Sequence, residues 1–393
     1  MNTLTRITPG PDADTAVRML CQAFAGTPEA MREWLALGDL ANLRALRHPD
    51  EPANPAAILL QIPMGQFFGG RSIPLLGVAG VAVAPEHRGR GFARSMMHAF
   101  VREARDQGFP LAGLYASTHS LYRQVGFEHA GFRFQYRIPF SHIPRHRVHT
   151  PVVPLADADM PAVHRAYANF ARRFNGPLDR GSYIWYRIRK LRETSYTGFG
   201  IPDDSGNLLG YLFLHQGRRP DGRQDIQLSD FVFLSLPAGQ RLLSFLADFA
   251  MMAEDLTFFG GPEHPALSLL PQQRHEVLLR DTWFLRVLDP AAALAARGYS
   301  AALDAELHLH VTDDAIPENS GPYVLRVRRG DADVSRGGRG DLRCSINGLA
   351  ALFSSFASPH QASLAGWCQG PPDALDLAAG LFAGTPPWMS DMY

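Results

Sequence analysis

The stretch Ala84-Pro85-Glu86-His87-Arg88-Gly89-Arg90-Gly91-Phe92-Ala93 holds the residue types best suited to chemistry. Its core spacing is Arg88-x-x-Gly91-x-Ala93. Glycines let a backbone approach a ligand closely and adopt positive φ. The loop runs straight into a segment of helical periodicity, where free N–H groups and the helix dipole favour an anion. Arg88 and Arg90 add positive charge, so the pattern suits a phosphate. It is not a P-loop, because the Gly-Lys-[Ser/Thr] ending is missing, nor a dinucleotide fingerprint, because Gly-x-Gly-x-x-Gly is missing. On the loop alone, a purely structural turn remains the alternative. About 30 residues later comes Tyr115-Ala116-Ser117-Thr118-His119-Ser120-Leu121-Tyr122-Arg123-Gln124-Val125-Gly126-Phe127. A phenol such as Tyr122 can act as a general acid, although a lone Tyr is as readily a packed amphipathic side chain.

These groups need a strand before the loop, a helix after it and a second strand leading to Tyr122. Gly77–Val83 is apolar on both faces and predicts a buried central strand. Ala93–Arg105 places Ala93, Met96, Met97, Phe100, Val101 and Ala104 on one helix face, with Gly108 as a C-terminal stop. Leu111–Ala116 reads as a second buried strand and Phe132–Ile138 as a further one. Upstream, Thr15–Phe24 has helical spacing and Ala56–Gln61 strand character. Phe24, at the end of that helix, and Trp34, just after it, are candidates for an acceptor pocket, or equally for core or cap positions. His87 is a possible base, but its place in the loop favours a surface role.

The segment 142–151 carries prolines and three histidines without periodicity and reads as an exposed linker. Beyond it, Met160–Phe174 predicts a helix with Asp159 as N-cap and Pro161 in its first turn. Leu208–His215 and Gln227–Ser235 predict strands and Leu236–Ala253 a helix. A third region opens near Trp283, with a helix at Asp289–Ala296, strands at Glu306–Val311 and Tyr323–Val327, and a helix capped by Asn347 through about Phe356. Arg339-Gly340-Asp341 reads as a turn.

With 393 residues the chain exceeds what one core usually organises, about 250–300 residues. Thirty-eight basic residues balance 38 acidic ones, which argues against nucleic-acid or membrane-surface binding. Cys21, Cys344 and Cys368 are odd in number and widely spaced, so neither a disulfide framework nor a zinc site is expected. With no basic leader and no long apolar run, the expectation is a cytoplasmic protein without metal.

The loop followed by Tyr-x-x-x-Gly-Phe resembles the GNAT (Gcn5-related N-acetyltransferase) superfamily. The strings Val81–Gly91, Tyr115–Arg123 and Trp283–Tyr299 are similar to its enhanced intracellular survival (Eis) branch, over nearly the whole chain. The resemblance implies an α/β (α+β) chain of tandem GNAT folds, each a mixed, mostly antiparallel sheet with flanking helices, plus a C-terminal sterol-carrier-protein-like α+β domain. The corresponding limits are residues 1–146, 147–285 and 286–393. It implies acetyl-CoA as co-substrate, held by Val81, Ala82, Val83, Arg88, Gly89, Arg90, Gly91, Phe92, Ala93 and Ser117. It implies Tyr122 as general acid, the carboxylate of Tyr393 as general base, and a homohexamer. The turn Ser235–Arg241 lacks the loop pattern, so the second domain is expected to be degenerate.

Transfer of acetyl to a primary amine proceeds by direct attack on the thioester, so no protein nucleophile is needed. The amine must lose its extra proton, the oxyanion needs a fixed donor such as a backbone N–H of Val81–Val83, and the thiolate benefits from a proton. Asp391 could add negative charge that attracts a cationic amine. Aminoglycoside, polyamine and lysine-like acceptors all fit. Two other readings are a lipid or sterol carrier and a regulatory pseudoenzyme that binds acetyl-CoA.

Overall fold

The apolar stripe Met96, Met97, Phe100, Val101 and Ala104 winds into the helix Phe92–Asp106 in the computed structural model, which describes residues 3–48 and 50–393. Gly108, at φ 85°, ends it. The Phe109 N–H donates to the Ala104 carbonyl and the Gly108 N–H to that of Arg105, a pairing that satisfies carbonyls a helix end would otherwise leave open. The buried stripe packs on Leu46, Ala57, Leu59, Leu76, Val78, Ala112 and Leu114, so the helix covers one face of a sheet.

The chain forms two compact units. One takes in the chain up to Ala130, Trp283–Ala383 and Tyr393; the other takes in Gly131–Thr282 and Gly384–Met392. In the first, the strands Thr5–Arg6, Leu43–His48, Glu51–Phe68, Arg71–Val83 and Leu111–Leu114 lie side by side in that order, followed by the Phe284–Val287 end of a later strand. The Arg71–Val83 and Leu111–Leu114 strands are parallel, with Leu75, Leu76 and Gly77 opposite Leu111, Ala112 and Gly113. Parallel neighbours need a crossover, which the Phe92–Asp106 helix supplies.

The same unit holds a five-stranded sheet in the order Asp331–Arg336, Gly321–Arg328, Asp304–Thr312, Leu342–Ser345, Cys368–Gln369. The helix Ile346–Phe353 has Leu349, Ala350, Ala351, Leu352 and Phe353 fully buried. Its cap is Ser345, whose hydroxyl accepts from the Gly348 N–H, and not the expected Asn347. Asn347 lies inside the helix with its amide engaged elsewhere. Cys344 and Cys368, far apart in sequence, face each other across adjacent strands as free thiols.

The second unit repeats the plan. Gln224–Phe233 and Ala253–Gly260 are parallel, joined through the helix Leu236–Ala247. The Ala253–Gly260 strand was not expected. After Gly239 in its first turn, the helical pattern of Leu236–Ala253 carries no Gly or Pro to mark a stop, yet the helix ends at Ala247 and Met251 and Met252 face solvent. The expected exposed linker is also held: Ile143 is buried, the His146 N–H donates to Ser244 Oγ and Arg241 donates to the Thr150 carbonyl. No helix among the described residues is long and apolar enough to cross a membrane.

Candidate active site

The parallel ladder stops at Gly77–Gly113. Beyond it the Arg71–Val83 strand continues, held on its other side through Ile58–Ala82 and Ala57–Val83. The strands part there, which leaves backbone groups of residues 78–83 facing a fork. A bulge sits in this stretch: the register slips between Ile58 and Leu60, and Gly80 adopts φ 59°. Bulges re-aim a strand beside functional sites. Trp34 lies on this bulge, with a Cβ built on Gly80 reaching 2.5 Å from its ring. A side chain at position 80 would therefore displace the indole.

The loop closes one end of the fork. Gly89 and Gly91 have φ 73° and 81°, and a Cβ on either would meet no atom within 4 Å. Glycine is thus required by conformation, and the space in front of the loop is open. Gly91 precedes the Phe92–Asp106 helix, which has no side-chain cap. The first N–H groups of that helix therefore face the open space, as an anion would need. The equivalent turn of the second unit is closed. Ser235 caps its helix from within, and a Cβ on Gly239 would strike Leu269 and Phe233 at 2.8 Å.

The two arginines differ in role. Arg88 is exposed, 3.4 Å from the Val83 carbonyl. Arg90 reaches back to His87 Nδ1 at 3.3 Å and His48 Nε2 at 3.1 Å. His87 is buried, not on the surface, because it stacks on His48 and packs on Phe92. This cluster sets the loop's shape.

Tyr122 sits on the short helix His119–Arg123 and is buried. The Phe127 N–H donates to its carbonyl and the Gly126 N–H to that of Arg123. Gly126 has φ 87°, and the Phe127 ring meets the Tyr122 ring edge-on. These are the bonds and hydrophobic contact of a Schellman turn, so the Tyr-x-x-x-Gly-Phe string is the sequence such a turn requires. Burial pushes the Tyr122 phenol above its usual range, and a hydrogen bond with the Ser117 side chain partly offsets this.

Tyr393 lies at the fork. Its ring is 3.0 Å from a Cβ built on Gly77 and its hydroxyl 2.7 Å from one built on Gly113, with Tyr115 edge-on at 5.8 Å. Glycine at both positions makes room for it. The fork thus gathers Val81, Ala82, Val83, the 88–93 loop, Trp34 and Tyr393. Ser117 is exposed beside Tyr122, and Phe24 is exposed at the end of the helix Pro11–Phe24. Asp391 has a different setting: it is buried in the second unit, 2.9 Å from Arg180, which also pairs with Asp230 at 2.6 Å. Its charge is compensated inside the protein. Sequence reading missed Gly77, Gly80 and Gly113; isolated glycines within buried strands were the available signal. Among the described residues there is no cluster of His, Cys, Asp or Glu that could hold a metal.

Comparison with known proteins agrees with this geometry. Residues 6–130 and 176–287 each match an acetyltransferase (GNAT) domain, and residues 290–390 match a sterol carrier protein domain. A GCN5-related N-acetyltransferase from Anabaena variabilis is 32% identical, with a TM-score of 0.94 over 100% of both chains. The chain belongs to the GCN5-related N-acetyltransferases. It is also similar to proteins named Eis. The N-acetyltransferase Eis of Mycobacterium tuberculosis is 26% identical over 74% of this chain and 72% of its own. Eis1 from Mycobacterium abscessus, 19% identical, shares the fold over 100% of both chains with a TM-score of 0.81. The chain is therefore an N-acetyltransferase of tandem GNAT domains followed by a sterol-carrier-protein-like domain, and GNAT acetyltransferases use acetyl-CoA.

Proposed function

We propose that the first GNAT domain transfers acetyl from acetyl-CoA to a primary amine on an aminoglycoside-, polyamine- or lysine-like acceptor. The observation that carries this reading is the fork beyond Gly77–Gly113, bounded by an uncapped helix and a glycine loop with open space before it. The residues fit the group: N–H groups of residues 88–93 would hold the pyrophosphate, and the strand Val81–Val83 and Ser117 would line the pantetheine side. Acetyl-CoA supplies an activated thioester carbonyl. A backbone N–H of Val81–Val83 faces the oxygen that gains charge. The Tyr393 carboxylate takes the proton from the acceptor's ammonium and so frees the amine that attacks, the Tyr122 hydroxyl gives a proton to the leaving sulfur, and the proton shed by the new amide nitrogen restores the phenol. The Tyr393 ring at the fork supports the first assignment and the protonated phenol of Tyr122 the second. Trp34 and Phe24 line the acceptor side; Asp391 contributes at most a compensated charge.

The domain limits 1–146, 147–285 and 286–393 belong to the same reading, with the second domain not binding acetyl-CoA because its turn is filled. A hexamer is proposed from the family resemblance alone, and a cytoplasmic location stands as part of the same proposal. The test is CoA-thiol release from acetyl-CoA against aminoglycosides, polyamines, a lysine peptide and hydrazides. Wild type, Tyr122→Phe and a chain lengthened by one C-terminal Gly would run together. Amine-dependent release that collapses in both variants is expected. Full activity in the lengthened chain would remove the Tyr393 carboxylate as base.

A further inference from the structure

The turn that carries Tyr122 does not stand alone. Asn347, from the sterol-carrier-like region, donates through Nδ2 to the Arg123 carbonyl at 3.0 Å and the Phe127 carbonyl at 2.9 Å. Carbonyl oxygens only accept, so the amide nitrogen must face them. Those carbonyls bracket the Schellman turn: Arg123 O already takes the Gly126 N–H, and the Phe127 ring meets Tyr122 edge-on. Beneath the turn lies Arg286, whose Nη1 is 2.7 Å from a Cβ built on Gly126, with Ile346 Cγ2 at 2.8 Å. Arg286 is fully buried and held by Asp313 at 2.6 Å, which in turn accepts from Asn319 at 2.8 Å. At the other end of the short helix, His119 packs on Phe284.

Asn347 belongs to a helix that buries most of its surface and so has little freedom. A rigid donor joining both ends of a tight turn fixes the direction of the side chain the turn presents. From this geometry we propose that Asn347 is a positioning residue for Tyr122: the sterol-carrier-like region is a buttress that aims the proton donor. The inference rests on the assignment of Tyr122 as general acid.

The test is a double-mutant cycle with acetyl-CoA and the best amine acceptor. Asn347→Asp keeps the side-chain size but sets a carboxylate against two carbonyls. It should lower kcat on the order of tenfold, with KM for acetyl-CoA unchanged and the melting temperature lowered by about a few degrees, so that kcat is read well below the unfolding transition. In the Tyr122→Phe background it should lower kcat no further, because its effect passes through the phenol. Asn347→Gln, which restores a donor, should recover part of the rate. If Asn347→Asp fails to fold, Asn347→Ala carries the same readings without the added charge. A wild-type kcat in the Asn347 variants, or a loss that multiplies with Tyr122→Phe, would overturn the buttress while leaving the acid assignment standing. Full activity in Tyr122→Phe alone would overturn both.

Discussion

A phenol that gives its proton to a leaving sulfur must still hold that proton at the working pH. Burial raises the Tyr122 pKa above 10, so the acid stays loaded through neutral and mildly alkaline pH. Removing it as Tyr122→Phe should cut kcat on the order of a hundredfold, with acetyl-CoA binding intact by calorimetry. A pH profile of wild-type kcat should show no falling limb from this group below about pH 10. A limb near pH 8 that disappears in Tyr122→Phe would show instead a lowered phenol. Asp391 is a different kind of acidic residue. Arg180 is fully buried between it and Asp230, and Tyr211 donates to Asp230 at 2.6 Å. Breaking such a pair from one side strands the other charge, so Asp391→Ala should destabilise the protein by about 3–5 kcal/mol, read by urea unfolding. A loss below about 1 kcal/mol would mean that Asp230 alone satisfies the guanidinium.

At the scale of elements, two strand–turn–helix–strand units share a topology and differ in one turn. The first has Gly91 with open space and no cap; the second has Ser235 as its own cap and Gly239 against Phe233 and Leu269. Gly91→Ala places a methyl in the open space at φ 81°. It should raise KM for acetyl-CoA at least tenfold while costing only about 1 kcal/mol of stability. Ser235→Ala should cost about 1 kcal/mol from the lost cap and leave acetyl-CoA kinetics unchanged; a changed KM would mean that the second turn also takes part. Helices with a clear stripe and a glycine stop, such as Phe92–Asp106, were legible because period and punctuation agree. Loop and Tyr122 turn were legible because Gly91 and Gly126 mark backbone that other residues rarely adopt. The Ala253–Gly260 strand was hidden because no Gly or Pro separates it from the helical pattern before it. The Gly77–Gly113 fork could not be read because strand pairing is a long-range property: no local pattern says where a parallel ladder ends. Asn347 was misread for the same reason, since its partners lie more than 200 residues away in the chain.

At the scale of the whole molecule, many buried groups are held in their uncharged forms, and this sets a window of pH stability. Tyr136 and Tyr323 are pushed up to about 12, and Tyr167, Tyr211 and Tyr299 are also raised, all chiefly by burial. Each binds its proton more tightly folded than unfolded. Its contribution is complete below pH 10 and is lost as pH rises towards the folded value. His264 works in the opposite direction. It is fully buried, its pKa falls to about 3, and its Nδ1 accepts from the Ala266 N–H. Its contribution is present above pH 6.5 and is lost as pH falls towards 3. Each such group changes stability by about 1.4 kcal/mol per pH unit inside its window. Urea unfolding from pH 4 to 11 should therefore show a plateau between about 6.5 and 9, a first decline as the buried Cys344 thiol, pushed up to about 12 by burial, begins to lose its contribution, and a steep fall above about 10 as several phenols titrate together. Asp391, whose carboxyl is raised by burial, opposes His264 on the acid side, so the wild-type acid limb is a sum. His264→Asn isolates the histidine, because it keeps an acceptor for the Ala266 N–H and removes the titration. The variant's acid limb should be shallower by about 1.4 kcal/mol per pH unit below pH 6.5. Parallel limbs in wild type and variant would mean that the imidazole protonates in place, with water reaching the cluster of Phe170, Phe231, Phe258 and Trp388 that now surrounds it.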